Sequence, residues 1–270
     1  SNNRAIHNRD TISSLTNTNL ITAAYFTIYN VGTLGTITNS GTISASLGFA
    51  ISNVYGNIES IINTSTGEIN SASDTIVNGS DRFITSLINQ GDIDASADAA
   101  ILNNGTISTI NNSGNIYATE GIGIENDGAS ATITNLTNSG NISAGTAISN
   151  TTGSIETITN TGSISSLTSL ADIHNNGSIN MLINRQSNLT FTGNLPANYQ
   201  IMIASTSNYG KITFSDVTGT TIFDIHSTSS VMENTTYTDV ITGISDAELS
   251  ATTGTFTDAE GDSYDWSLSL

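Results

Sequence analysis

The stretch Ile51-Ser52-Asn53 returns as Ile76-Val77-Asn78 and again as Ile101-Leu102-Asn103, each time 25 residues later. This Ile-x-Asn motif recurs throughout the first two thirds of the chain, and its asparagines form a first series. They are Asn8, Asn30, Asn53, Asn78, Asn103, Asn126, Asn150 and Asn175. A second series interleaves with the first at intervals of 22 to 27 residues: Asn17, Asn39, Asn63, Asn89, Asn111, Asn138, Asn160 and Asn184. Periods of this length are typical of repeat architectures.

A Gly-x-Ile motif lies between the asparagines, as in Gly41-Thr42-Ile43 and Gly67-Glu68-Ile69. Short segments that alternate apolar and polar residues and end at Asn or Gly are typical of strands joined by tight turns. We therefore predict an all-β fold, a right-handed parallel β-helix or solenoid with four short segments in each coil of 22 to 27 residues. The right-handed winding follows from the general crossover preference.

In such a coil the asparagines have a structural role. Stacked in register, each side-chain amide can donate to the carbonyl oxygen of the next, and the two series then form two ladders. We expect these residues to stabilise the corners and not to bind a ligand.

The chain divides into two parts. Residues 1–185 carry the repeats, whereas residues 186–270 depart from them and hold nine of the 16 aromatic residues. Because terminal repeats of a solenoid are atypical, we expect residues 186–270 to form irregular coils and a C-terminal cap. The first motif begins as early as Ile6, so we expect a mature fragment of a larger protein.

The composition argues against several partners. The net charge is −18, with only five basic residues. Nucleic-acid binding depends on Lys and Arg contacts to phosphate, so we expect none. The chain has no cysteine, which excludes disulfides and thiolate metal sites.

Three carboxylates from successive coils, Asp74, Asp98 and Glu120, precede their Ile-x-Asn motifs by two to four residues. They form either a solvated acidic stripe or a weak site for a divalent cation or a partner. The segment 258–262 alternates acidic residues in a similar way. We expect no resident cofactor, and Ca²⁺ is the one ion that these residues could bind.

Catalytic motifs are scarce. The three histidines are scattered, and no Gly-x-Ser-x-Gly motif occurs. A polysaccharide-cleaving β-helix would need a groove that brings carboxylates close to Arg82, the only basic residue between Arg9 and Arg185. We therefore predict that the protein is not an enzyme.

The repeats resemble the secreted passenger domains of bacterial autotransporters, the type V secretion proteins. The resemblance rests on motifs such as those at residues 39–45, 138–144 and 160–165, and residues 208–212 look like the segment that precedes the translocating barrel. It implies export across the outer membrane of a Gram-negative bacterium and display at the cell surface, with contact to that membrane only through a barrel outside this stretch of chain. Such passengers include adhesins, self-associating proteins and enzymes, so the fold does not decide the function.

Two functional hypotheses follow. The first is a cell-surface adhesin whose lateral face binds a copy of itself on a neighbouring cell, which would produce aggregation and biofilm. The second is an adhesin for a host glycan or an extracellular-matrix protein, and it would require an exposed aromatic platform. The candidate partner-binding residues, besides the three carboxylates, are the early aromatic residues Tyr25, Phe26, Tyr29, Phe49 and Tyr55.

Overall fold

The computed structural model describes residues 3–168, 171–231, 234–258 and 261–270. The chain is all-β, with 61% strand, and winds into a parallel β-helix of about nine turns. In the described part, its one helical element is the 3₁₀ turn η1 (Asp246–Glu248), and no helix is long and apolar enough to cross a membrane. The predicted fold class is confirmed.

Each regular coil contributes one strand to each of three lateral faces, and every strand pairs in parallel with its equivalent in the next coil. Face 1 contains β1 (Arg4–Asn8), β4 (Phe26–Asn30), β7 (Phe49–Asn53), β10 (Ile76–Asn78), β13 (Ile101–Asn103), the ends of β15 (Asn115–Asn126) and β17 (Asn141–Asn150), β20 (Ile173–Asn175), β22 (Leu189–Asn194), β24 (Ile212–Thr218) and β26 (Ile241–Thr242).

Face 2 contains β2 (Thr11–Asn17), β5 (Thr33–Asn39), β8 (Asn57–Asn63), β11 (Phe83–Asn89), β14 (Thr106–Asn112), β16 (Thr132–Asn138), β18 (Ser154–Asn160), β21 (Ser178–Asn184), β23 (Asn198–Ile201) and β25 (Ile222–Ile225). Face 3 contains β3 (Leu20–Ala23), β6 (Thr42–Ala45), β9 (Glu68–Ser71), β12 (Asp92–Ala95), the starts of β15 and β17, and β19 (Ser163–Ser166).

The prediction of four segments in each coil was wrong, because two of them belong to one strand. In β8, Ile58 and Ile61 are both buried although they lie three residues apart, and the pairing register omits residue 59 between them. A bend within the strand thus replaces a corner. Because of this bend, the isoleucine of a Gly-x-Ile motif and an asparagine of the second series lie on the same seven-residue strand of face 2.

The core consists of stacked aliphatic residues. On face 1 the isoleucines of the Ile-x-Asn motifs pair with one another from coil to coil, and each of those from Ile28 to Ile173 is fully buried. Burying one such side chain contributes roughly 1.5–3 kcal/mol. Since identical residues stack in every coil, the core grows in proportion to the number of coils.

The asparagines form two continuous side-chain ladders. In the first, the Nδ2 of each asparagine donates to the Oδ1 of the next at 2.7–2.9 Å, from Asn8 to Asn175. In the second the distances are 2.8–3.3 Å, from Asn17 to Asn184. The same Nδ2 atoms also donate to turn carbonyls, as Asn89 does to Gly91 at 3.1 Å. The ladders therefore satisfy backbone groups at buried corners.

One predicted member of the second ladder was wrong. Asn111 is exposed, and its neighbour Asn112 is buried and accepts from Asn89 at 2.8 Å. The reason is the alternation along β14, where Ile110 points into the core, so that the next side chain points outward. Asn112 is also the residue that completes the Ile-x-Asn motif begun by Ile110.

Beyond Asn184 the coils continue with aromatic residues in the core. Phe191 and Phe214 stack edge to face with ring centroids 5.5 Å apart, and Tyr199 packs against Phe214 at 6.0 Å. An antiparallel hairpin of β27 (Thr253–Thr257) and β28 (Ser263–Ser267) follows, and its Trp266 packs against Phe223 of the last face-2 strand at 5.1 Å. Strands β22 to β26 thus extend the stack, and the hairpin packs against its last face-2 strand.

The ladder can be tested with the pair Asn89→Asp and Asn111→Asp. The first change removes the donor that bonds Asn112 and places a carboxylate in a buried site, so we expect a loss of about 3 kcal/mol or more. The second places the same charge on the surface and should change stability by less than about 0.5 kcal/mol. Urea unfolding followed by circular dichroism measures both, and equal effects would contradict the ladder's structural role.

Candidate partner-binding surface

The ladders and the core use the inward positions, so any partner must bind the outward ones. On face 1 these outward positions form one column, because the residue between Ile and Asn pairs in register from coil to coil. The column contains, from the N-terminal end, His7, Tyr29, Ser52, Val77, Leu102, Glu125, Ser149 and His174, and of these Ser52, Val77 and Ser149 are buried. This column is the most varied part of face 1.

Aromatic side chains cover the N-terminal end of face 1. Phe26 contacts both Phe49 and Tyr29 edge to face, with ring centroids 5.6 and 5.2 Å apart. Tyr29 in turn contacts His7 at 5.2 Å, and the Arg4 guanidinium carbon lies 4.0 Å from the Tyr29 ring centroid. The structure therefore brings these predicted aromatic candidates together as one cluster.

The other two aromatic candidates lie at opposite edges of face 1. Tyr25 is in the bend that precedes β4, next to the cluster, and 46% of its surface is exposed. Tyr55 is in the bend between β7 and β8, on the way to face 2, and 64% is exposed. Tyr55 thus belongs to a different corner of the rod, which the order of residues in the sequence did not indicate.

Asp74 and Asp98 lie in the bend from face 3 to face 1, and Glu120 lies within β15 where that strand passes between the same two faces. Asp74 accepts from the Ala99 backbone N–H at 2.9 Å, and Asp98 accepts from the Ser73 hydroxyl at 2.7 Å. The backbone of Gly121, and not that of Glu120, stacks against Asp98. Asp74 and Asp98 are therefore neighbours, whereas exposed Glu120 is displaced by one residue.

Sequence reasoning missed Glu125, which lies in the outward column close to these acids. Burial raises its pKa, and Asp127, Asp74 and Asp98 raise it further. Burial likewise raises the pKa of Asp74, with the Asp98 charge adding to the effect. Acidic side chains thus cluster near the middle of face 1. Examining the variable residue within each Ile-x-Asn motif would have found Glu125.

A second acidic group lies on face 3. Burial raises the pKa of Asp94, as do the neighbouring charges of Glu68 and Asp92. Asparagine side chains partly compensate, since Asn70 donates to Glu68 at 2.6 Å and Asn115 donates to Asp92 at 2.8 Å.

No metal-binding arrangement is evident in the part of the chain that the structure describes. Within it, no three His, Cys, Asp or Glu side chains converge as ligands, and this includes Asp74, Asp98 and Glu120. The acidic segment 258–262 contains residues 259 and 260, which lie outside the described residues.

Arg82 is not part of a carboxylate groove. Its Nε donates to the Ser80 carbonyl at 3.3 Å and its Nη1 donates to the Tyr55 carbonyl at 3.4 Å. Across the described residues the one ion pair joins Lys211 to Asp239, at 3.7 Å. Arg82 therefore has no carboxylate within 4 Å in this part of the chain.

Comparison with known proteins adds no identification. No protein-family model matches this chain, no curated protein matches it, and no solved structure matches it. The surface chemistry is therefore the basis for a functional proposal.

The raised pKa values predict how stability depends on pH. A carboxyl group whose pKa is raised in the folded rod binds its proton more tightly there than in the unfolded chain. Its ionisation therefore destabilises the rod above the raised pKa, and this penalty disappears as pH falls towards the ordinary carboxyl range. We expect Glu125→Gln to raise the melting temperature at pH 7 but not at pH 4.

Glu156→Gln is the matched control for this experiment, because Glu156 is exposed on face 2. Thermal melts of the two variants and the unchanged protein from pH 4 to pH 7 would test the prediction. If the melting temperatures of Glu125→Gln and Glu156→Gln change with pH in the same way, ionisation of the partly buried Glu125 does not destabilise the rod.

Proposed function

We propose that this chain is the non-enzymatic adhesive rod of a bacterial surface protein, and that it joins cells by binding a second copy of itself. The two rods lie side by side and antiparallel, in contact through face 1. The observation that carries the proposal is the order of charges along that face. The resemblance of the repeats to autotransporter passengers supports a location at the surface of a Gram-negative cell.

The outward column of face 1 is complementary to itself when it is reversed. A two-fold axis between the third and fourth coils places His7 of one copy opposite Glu125 of the other, and Tyr29 opposite Leu102. Arg4 and Arg9 add positive charge at the first coil. Glu120 and Asp127 add negative charge at the other end. Ser52 and Val77, which lie at the axis, are buried, so the pair makes contact through Tyr29 against Leu102 and through opposite charges at both ends.

The arginines of the first coil are available for such a contact. Arg4 and Arg9 each lie 3.4 Å from a ring nitrogen of His7. Neither has a carboxylate within 4 Å among the described residues, where Lys211–Asp239 is the one ion pair. A protein with net charge −18 repels its own copies. Local pairing of the few cations with the acidic part of face 1 would offset that repulsion.

The size of this surface predicts weak pairing. Five strand spacings of about 4.8 Å and a strand of five residues give roughly 24 by 17 Å, or about 400 Å² for each copy. A standard stable interface buries about 800 Å² for each partner. One pair of rods would therefore bind weakly, and adhesion would depend on many rods displayed together on each cell.

Charge reversal tests the proposed geometry. One variant carries Arg4→Glu and Arg9→Glu, and the other carries Glu120→Lys and Glu125→Lys. When two copies of the same variant pair antiparallel, side chains of like charge face each other at both ends of the contact. Neither variant should therefore self-associate. An equimolar mixture meets opposite charges in both contacts, so it should associate again. Analytical ultracentrifugation at low salt, supported by clumping of cells that display the variants, measures this.

The control variant carries Glu59→Lys and Glu156→Lys on face 2, which changes net charge as the second variant does. It should keep at least the association of the unchanged protein. If the unchanged chain is monomeric at every concentration and salt, or if the mixture stays monomeric, self-association through face 1 is excluded.

A further inference from the structure

A second surface lies at the corner between faces 1 and 2, in the third and fourth coils. It carries Tyr55, which is 64% exposed, and Phe83, which is 52% exposed. Among the described residues these are the two most exposed aromatic side chains. Solvation of two aromatic rings at one corner is costly, because each ring leaves a large apolar surface in water.

Polar groups of mixed type surround these rings. The Arg82 guanidinium extends back over the bend, and its two hydrogen bonds are long, at 3.4 Å to the Tyr55 carbonyl and 3.3 Å to the Ser80 carbonyl. Exposed Asn57 accepts from the Phe83 backbone N–H through its Oδ1 at 3.3 Å, and its Nδ2 is the remaining donor of that side chain. The corner thus offers N–H donors between two apolar rings.

The local backbone presents these groups outward. Asp81 has φ = 59°, in the left-handed region that glycine favours, and the Arg82 backbone N–H donates to the Gly79 carbonyl at 3.1 Å to close the turn. A non-glycine residue in this region is uncommon and such strain is frequent at binding sites. The turn leaves the exposed Asp81 carboxylate beside Arg82 as a hydrogen-bond acceptor.

We propose that Tyr55, Asn57, Asp81, Arg82 and Phe83 form a binding site for an uncharged oligosaccharide of gluco configuration. Such a pyranose has axial C–H groups on both faces, which pack against aromatic rings, while its hydroxyls both donate and accept hydrogen bonds. Asp81 can accept from them, and Arg82 and Asn57 can donate to them. The net charge of −18 disfavours acidic sugars. This site is separate from the self-association surface on face 1.

Nuclear magnetic resonance titration of the full chain with chitotetraose and cellotetraose tests the proposal. We expect millimolar binding, with backbone shifts confined to residues 55–57 and 79–83. Tyr55→Ala and Phe83→Ala should each weaken binding by about tenfold, equivalent to 1.4 kcal/mol. Both side chains are exposed, so these variants should fold normally, and Tyr25→Ala at the opposite edge of face 1 should bind as the unchanged protein does.

A hyaluronan tetrasaccharide, in which glucuronate alternates with N-acetylglucosamine, is the charged comparison and should bind more weakly than chitotetraose. The proposal is overturned if neither neutral tetrasaccharide shifts these residues, if the charged one binds as tightly, or if Tyr25→Ala weakens binding as much as Tyr55→Ala. Self-association should be unchanged in Tyr55→Ala and Phe83→Ala, so the two proposals fail independently.

Discussion

The side-chain amide ladder is the constraint on which the rest of this rod depends. The side-chain amide of an asparagine buried at a corner needs one acceptor in the next coil and another in the adjacent turn. Both acceptors are within reach only when successive coils are in register. Asn89 satisfies this requirement by donating to Asn112 of the next coil and to the Gly91 carbonyl in the turn that follows Asn89. A shift by one residue would expose the isoleucines and leave the amides without partners. Register, core and corners are therefore fixed together.

The strength of this constraint explains why the architecture was predictable. A motif with one role in every coil is repeated, so counting it reveals the period, the stacking and the ladder. Local geometry was harder to predict from the sequence. Two isoleucines three residues apart, Ile58 and Ile61, suggested separate segments because a bend within a strand leaves no residue signature. At Asn111 and Asn112 two adjacent asparagines compete for one position, and only the inward direction of Ile110 decides between them.

The candidate surfaces were predictable only in part. Phe26 and Phe49 come together because equivalent positions stack on one face, which the period alone implies. The separation of Tyr25 from Tyr55 depends on which bend each one occupies, and the sequence does not specify this. Glu125 was overlooked because it lies inside a repeated motif whose other residues have a structural role. Since the ladders hold the coils without help from the outward side chains, those side chains are free to carry charge patterns such as that of face 1.

Side-chain hydrogen exchange tests the structural claim most directly. If the ladders open only when the rod unfolds, the Nδ2 protons of Asn53 and Asn89 should exchange at least about a thousandfold more slowly than those of exposed Asn111, as buried hydrogen bonds do when their exchange requires global unfolding. Nuclear magnetic resonance of the ¹⁵N-labelled chain in deuterated buffer can measure all three. Exchange of Asn53 and Asn89 at the rate of Asn111 would show that the ladders do not hold the coils in register.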